Sequence, residues 1–330
     1  MNELSLLYMC DDAFATMAGV SLTSLFENNP KDKIILHVYL LLVRVSEENR
    51  RRFKKLAEKY GQDIYMIEAE ETMKEVMSLD VATYRGSAMT NLRLYFDRLV
   101  PENVHRLLYV DCDTIICSTL QELCMFDMQN RTLGMVLDAY GALMRTPELG
   151  NAPYYNAGIL LIDCDKWRGG NWSSRITGYI KEHGAQFKHP DQDIYNIVCR
   201  DEIVCMPIRY NFQTMHRAYG EKLYFRWFPS SGYYEASEIA EARNNPAIVH
   251  MIRMLGINPW SSGAWHPDRE IFNRYKEKSF WRSEPELPDR ADGFIRIERI
   301  LYRILPNSLF FPLSLAAIKV IQNVDKKNRY

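Results

Sequence analysis

Two carboxylates stand one residue apart in Tyr109-Val-Asp-Cys-Asp113, directly after the apolar run 106–110. Residues i and i+2 of an extended segment point the same way, so Asp111 and Asp113 flank Cys112 with their side chains together. Paired carboxylate oxygens suit a hard cation, Mn²⁺ or Mg²⁺ in its place. Such a cation neutralises a diphosphate and stabilises it as a leaving group. The same residues also read as a turn or a helix cap after a strand, and the pair alone does not separate the two readings. A second acidic pair, Asp11-Asp12, follows the first strand-like run, where either residue makes a natural helix N-cap. The triplet Asp191-Gln192-Asp193 has the spacing of a helix N-terminus.

The segments that must position these groups alternate in type. Residues 4–9 predict a buried strand, 12–27 a helix, 33–41 a strand, 46–60 a charged helix opened by an N-terminal capping pattern, and 62–67 a third strand. This β-α-β-α-β order predicts an α/β fold with a mainly parallel central sheet covered on both faces. Ligands of such sheets bind beyond the carboxyl ends of the strands. Further along, 90–99 predicts a helix, 106–110, 132–137 and 157–162 strands, 194–199 a helix, and 202–206 and 246–251 strands. Residues 213–234 are aromatic and irregular. The composition changes near residue 270, which divides the chain into one domain, 1–270, and a linker with an amphipathic helical tail, 271–330. Within the tail, Arg296, Arg299 and Arg303 share one helical face and Ile297, Ile300, Leu301 and Ile304 a neighbouring one.

Composition narrows the classes. The 330 residues carry 41 basic and 42 acidic side chains, so no overall basic field points to a nucleic-acid partner. The seven cysteines form no zinc-like arrangement, and reduced cytosolic thiols are expected. The N-terminus enters a strand-like run without a basic n-region, so no signal peptide is expected. No apolar run is long enough to span a bilayer. The first strand-helix junction has no G-x-G-x-x-G and carries negative charge where a pyrophosphate would sit, which argues against a dinucleotide-dependent oxidoreductase.

The order of motifs adds a further reading. Cys10-Asp-Asp-Ala-Phe-Ala15 precedes Arg93-Leu-Tyr-Phe, Leu99-Val-Pro101 and Tyr109-Val-Asp-Cys-Asp113; Asn156-Ala-Gly-Ile-Leu-Leu-Ile-Asp163, His189-Pro-Asp-Gln-Asp193, Ile248-Val-His250 and Asn258-Pro-Trp260 follow. This ordered set, over residues 4–266, resembles the family 8 glycosyltransferases, which include bacterial lipooligosaccharide α-galactosyl- and α-glucosyltransferases and glycogenin. The resemblance implies a GT-A fold, a Mn²⁺ ion, a UDP-hexose donor and retention of anomeric configuration. It implies that Asp111, Asp113 and His250 bind the metal. It implies that Asp11, Asp12, Arg93, Asp111, Cys112, Asp138 and Asn156 meet the donor, and that Asp191 and Gln192 stand beside the anomeric carbon. Gln192 is a poor nucleophile, so a front-face mechanism is expected, with its carbonyl oxygen stabilising positive charge and Asp191 binding sugar hydroxyls.

Two departures stand out. Ala13 occupies a position usually polar in that family, and the loop after His250 is longer by two residues, with Asn258 where a diphosphate-binding lysine is usual. Arg253 is the candidate to restore that charge. These departures leave open a nucleotide-sugar-binding protein with weak or lost transferase activity, beside the main expectation of an active hexosyltransferase acting on a glycan or lipid-linked saccharide acceptor. Aromatic residues between Tyr219 and Tyr234 suit either core packing or stacking on acceptor sugars. The basic amphipathic segment 295–330 suggests a cytoplasmic protein held peripherally on the inner face of the cell membrane, a docked helix being the other reading.

Overall fold

The structure, a computed structural model, describes residues 2–79, 88–141, 149–150, 152–183, 189–227, 234–263, 265–289, 291 and 293–327. Its centre is built from the predicted apolar runs. Strands β1 (Asn2–Asp11), β2 (Ile34–Val43) and β3 (Asp63–Glu68) pair in parallel, and β1 pairs in parallel with β4 (Arg106–Val110) on its other side. β1 and β4 are covered on both faces, which is why they read as continuous hydrophobic runs and not as alternating ones. With β6 (Leu133–Leu137), β7 (Tyr155–Asp163) and β8 (Ile203–Cys205) the sheet runs β3-β2-β1-β4-β7-β6-β8. It is mainly parallel, as expected; β7 alone is reversed, antiparallel to both β4 and β6.

Two irregularities of strand pairing prepare the cleft. Pairing of β6 with β7 passes from Met135↔Leu160 to Val136↔Asn156, so Ala157, Gly158 and Ile159 leave that ladder. Such bulges commonly re-aim groups beside a site. A second, small sheet then forms from β5 (Thr114–Ile116), β9 (Phe212–Gln213) and β10 (Ile248–His250), in the order β5-β10-β9. Only β10 is expected from the sequence, as part of the apolar run 246–251; β5 and β9 form by pairing with it.

Helix α1 (Ala15–Asn28) follows β1 and is buried almost throughout. Its Thr23 Oγ1 donates to Gly19 O at 2.7 Å and Ser24 Oγ to Ser21 O at 2.6 Å, so the buried hydroxyls are satisfied within the helix. Helix α2 (Glu47–Tyr60) has the predicted cap: Ser46 accepts from Asn49 N, and Gly61 ends the helix at φ 62°. The later helices are α3 (Glu70–Met77), α4 (Cys164–Gly169), α5 (Trp172–His183), α6 (Pro190–Val198), α7 (Thr214–Trp227), α8 (Ala236–Asn244), α9 (Arg269–Lys278), α10 (Gly293–Ile304) and α11 (Asn307–Lys327).

Packing continues past residue 270. Trp281 is buried on Gly19, where a β-carbon would run into the indole, and lies 4.8 Å from Phe53 of α2. Residues 214–227, expected to be irregular, form α7, broken at Gly220 (φ 71°). Tyr219, Tyr224 and Tyr234 are buried, so these three pack in the core and are not a sugar-stacking platform; Phe228 and Tyr233 lie outside the described residues. Tyr219 instead seats Phe311 of α11 at 4.2 Å. Phe310, Phe311 and Leu315 are buried, so the inner face of the tail is docked on the domain.

Candidate active site

Strand register, more than local sequence, assembles the acidic centre. His250 of β10 pairs with Thr114 of β5, one residue beyond Asp113, and Met251 N donates to Asp113 O at 2.9 Å. From the other side Asp111 N donates to Gly158 O at 2.9 Å, which ties the end of β4 to the bulge in β7. His250 Nε2 thereby comes 3.3 Å from Asp113 Oδ1 and 4.0 Å from Asp111 Oδ2. One ligand atom from each of Asp111, Asp113 and His250 lies within 4.8 Å of the others. Gly158 completes the cradle: a β-carbon there would intrude to 2.9 Å from Asp111 Oδ2. Two carboxylates and an imidazole converging on one space are a donor set that fits a divalent cation.

The local electrostatics agree with that chemistry. Burial pushes the Asp111 pKa up; Arg93 opposes this and Asp113 adds to it. Burial by itself would lower His250, but the two carboxylates hold it above its ordinary value. Protons are thus drawn to a cluster that has negative charge to share.

Arg93 is buried at the cleft wall, on the 3₁₀ segment Met89–Arg98. Its guanidinium meets Asp111 Oδ1 at 3.0 Å and Asp191 Oδ2 at 3.3 Å, donates to Ala157 O at 2.6 Å, and lies 4.4 Å over the Tyr109 ring. Tyr109 Oη also donates to Asp111. Arg93 is therefore a strut between the acidic centre and Asp191. Burial would depress its pKa, yet Asp111, Tyr109 and Asp191 together raise it, so the strut stays charged.

The other end of the cleft is a closed polar network. Asp138 Oδ1 accepts from Tyr140 N at 2.8 Å, and Oδ2 accepts from Asn156 Nδ2 at 2.9 Å and from Gln192 Nε2 at 3.3 Å. Gln192 Oε1 accepts from Ala157 N at 3.0 Å and from Asn156 Nδ2 at 3.2 Å. The bulge in β7 frees that Ala157 N–H for Gln192. The cavity between the two ends has a volume of about 470 Å³, in the range of small-ligand sites.

Of the sequence-predicted residues, Asp11, Arg93, Asp111, Cys112, Asp113, Asp138, Asn156, Asp191, Gln192, His250 and Arg253 line this one cavity. Asp12 is not brought to it: its Oδ1 accepts from Ser46 N and Asn49 Nδ2, both at 2.8 Å, at the start of α2. Asp11 caps the turn before α1 by accepting from Phe14 N at 3.0 Å. The Cys112 thiol donates to Met9 O at 3.1 Å. Arg253 and Asn258 share the cavity wall with Trp260. Between Arg253 and Asn258 the chain makes a tight turn at Leu255 and Gly256, φ 49° and 70°, closed by Met254 and Ile257. This is the backbone pattern of a type I′ turn. α10 holds it in place, through Arg299 Nε donating to Leu255 O at 3.0 Å.

Three participants are absent from the sequence reading. Gly158 interrupts an apolar strand, a known sign of close backbone approach, and was legible on that ground. Asn211 and Gln213 are buried on and beside β9, and nothing in their spacing distinguishes them.

The profile described as "Glycosyl transferase family 8" matches residues 5–264. The chain is 26% identical to General stress protein A of Bacillus subtilis, covering 86% of this chain and 96% of that protein. It is 25% identical to lipopolysaccharide glucosyltransferase WaaO of Escherichia coli, covering 89% and 83%, and 25% identical to lipopolysaccharide 1,3-galactosyltransferase of Salmonella typhimurium, covering 85% and 80%. Among solved structures, the galactosyltransferase LgtC in complex with donor and acceptor sugar analogs superposes with a TM-score of 0.67 at 20% identity, over 84% of this chain and 96% of that one. That likeness is one of fold, the GT-A arrangement.

Proposed function

The chain belongs to glycosyl transferase family 8 and is a glycosyltransferase; we propose that it is a metal-dependent, retaining hexosyltransferase that moves galactose or glucose from a UDP-sugar to a glycan acceptor of a bacterial-type surface polysaccharide or lipopolysaccharide. The observation that carries this reading is the shared cavity: Asp111, Asp113 and His250 at one end, Asp138, Asn156, Asp191 and Gln192 at the other. Lipopolysaccharide glucosyl- and galactosyltransferases among the relatives support the acceptor class.

In this reading Asp111, Asp113 and His250 hold the cation, Mn²⁺ in the first place, and it supplies neutralisation of the donor diphosphate and of the leaving UDP. Asp138 and Asn156 bind donor sugar hydroxyls. Asp191 is tied to Arg93 at 3.3 Å, which suits it to hydroxyl binding and to shaping the field more than to nucleophilic attack. Gln192 presents a carbonyl oxygen that Ala157 N–H and Asn156 orient; it stabilises positive charge at the anomeric carbon, consistent with a front-face displacement. Arg253 provides positive charge to the diphosphate from the lengthened loop.

We further propose peripheral membrane contact through residues 295–330. No helix among the described residues is long and apolar enough to cross a membrane. Phe294, Ile297, Ile300 and Ile304 are 50–67% exposed on α10, beside the exposed Arg296 and Arg303. An apolar stripe edged by cations suits an anionic lipid interface, where a lipid-linked acceptor is held.

A thermal-shift panel of UDP-, GDP- and ADP-sugars with and without Mn²⁺ tests the central reading. UDP-hexoses should stabilise the protein only with the metal; equal shifts without Mn²⁺, or no preference for uridine, would sink it.

A further inference from the structure

The cation centre and the sugar end of the cavity are joined by an unbroken chain of buried hydrogen bonds, and its direction can be worked out. Gly158 N–H can only donate, and it meets Asn156 Oδ1 at 2.9 Å. The Asp138 carboxylate accepts from Asn156 Nδ2 at 2.9 Å. The Asn156 amide is therefore fixed in orientation from both sides. Its Oδ1 also accepts from Asn211, so the Asn211 atom at 2.9 Å is Nδ2. The opposite end of the Asn211 amide is then Oδ1, and it faces His250 Nδ1 at 2.9 Å. An amide oxygen only accepts, so His250 Nδ1 carries the proton. Nε2, the nitrogen that faces Asp113 and Asp111, is then the one left for a cation to take. Asn211 is fully buried, so water does not compete for either bond.

We infer that Asn211 is a positioning residue that couples the two halves of the site. It sets the ring orientation and tautomer of His250 for cation binding, and with the same amide it anchors Asn156, whose Nδ2 serves Asp138 and Gln192. Groups that hold the second nitrogen of a metal-binding imidazole typically change metal affinity about 10- to 100-fold when removed. This inference rests on Asp111, Asp113 and His250 being the cation site.

The test measures Mn²⁺ affinity by electron paramagnetic resonance without donor, on the full chain. Asn211→Leu keeps the branching of the side chain and removes both polar ends; its Mn²⁺ affinity should fall about 10- to 100-fold. Asn211→Asp retains an acceptor for Nδ1–H but loses the donor to Asn156 Oδ1, so its affinity should fall less than that of Asn211→Leu. Nitrogen NMR of the His250 ring should report protonated Nδ1 in the parent chain and a mixture of tautomers in Asn211→Leu. Unchanged affinity and tautomer in Asn211→Leu would overturn the inference, as would the opposite tautomer in the parent. Asp113→Asn is the control for the underlying reading: if it too leaves Mn²⁺ affinity intact, the cation site itself is elsewhere. Should Asn211→Leu not fold, the NMR result on the parent chain still decides the point.

Discussion

Gly158 and His250 meet with no space between them: a β-carbon on Gly158 would lie 2.8 Å from His250 Nδ1. The same β-carbon would press on Asp111 Oδ2. Gly158→Ala must therefore push His250 or Asp111 out of place. Overpacking of this kind costs about 1–3 kcal/mol, and the folded variant should bind Mn²⁺ at least about tenfold more weakly. Isothermal titration of Mn²⁺, paired with a melting curve, checks both effects. Parent-like affinity would mean that the neighbouring groups yield without loss of the site.

Arg93 bridges Asp111 and Asp191 in a buried setting. Removing one partner of a buried charge network leaves the others uncompensated, at a cost of about 3–5 kcal/mol. Arg93→Leu should lose that much in urea unfolding, whereas Arg93→Lys, which keeps the charge, should lose less. A loss below about 1 kcal/mol, the range of surface pairs, would contradict the strut.

Arg253 stands on the cavity wall beside Asn258. If it supplies charge to the diphosphate, Arg253→Ala removes a charge-assisted contact of about 1.5–3 kcal/mol. The KM for the UDP-sugar should rise about 10- to 100-fold at saturating Mn²⁺, with the melting temperature nearly unchanged. A steady-state series in donor concentration decides it; an unaltered KM removes Arg253 from the donor site.

Away from the cleft, His216 lies buried between Phe212 and Tyr224, at 5.6 Å and 4.7 Å. Burial, helped by Arg243, pulls its pKa from 6.5 down to about 3. Between those two values the unfolded chain binds a proton that the native state refuses. Stability therefore falls as pH falls below about 6.5, by about 1.4 kcal/mol per pH unit from this residue. His216→Phe should make the acid limb shallower by that amount in urea titrations from about pH 7 to about pH 5. Parallel limbs in the two proteins would count against it.

Deleting the whole tail would be a poor test of membrane contact, because Phe310, Phe311 and Leu315 belong to the buried core. The outward residues can be changed alone. Ile297→Ser with Ile300→Ser removes two exposed side chains, each worth about 2 kcal/mol if buried in lipid. Sedimentation with anionic vesicles should drop by at least about tenfold, with hydrolysis of the UDP-sugar unaffected. Equal sedimentation would place any lipid contact elsewhere.

Much of the frame was legible in the residues themselves. β1, β2 and α2 carry strong local signals, a buried apolar run or a cap with a charged face, and local propensity agrees with the tertiary environment. α7 was not legible, because its aromatic spacing is interrupted by Gly220 and its buried face is defined by α11, a distant segment. The small sheet escaped for a related reason: β5 and β9 are too short to show a period and exist only by pairing with β10.

The sequence by itself determined which groups are present and in what order: the Asp111–Asp113 pair, His250 at a strand end, and the polar residues Asp138, Asn156, Asp191 and Gln192. Those follow from residue type and near-neighbour spacing, which the chain carries locally. Only the tertiary structure decided what each group touches. The β10–β5 register sets His250 against Asp113, the bulge in β7 turns Gly158 toward Asp111 and His250 and Ala157 N–H toward Gln192, and burial makes Arg93 a strut and Asn211 a link. Register and burial are properties of contacts between distant segments, so no window of sequence contains them.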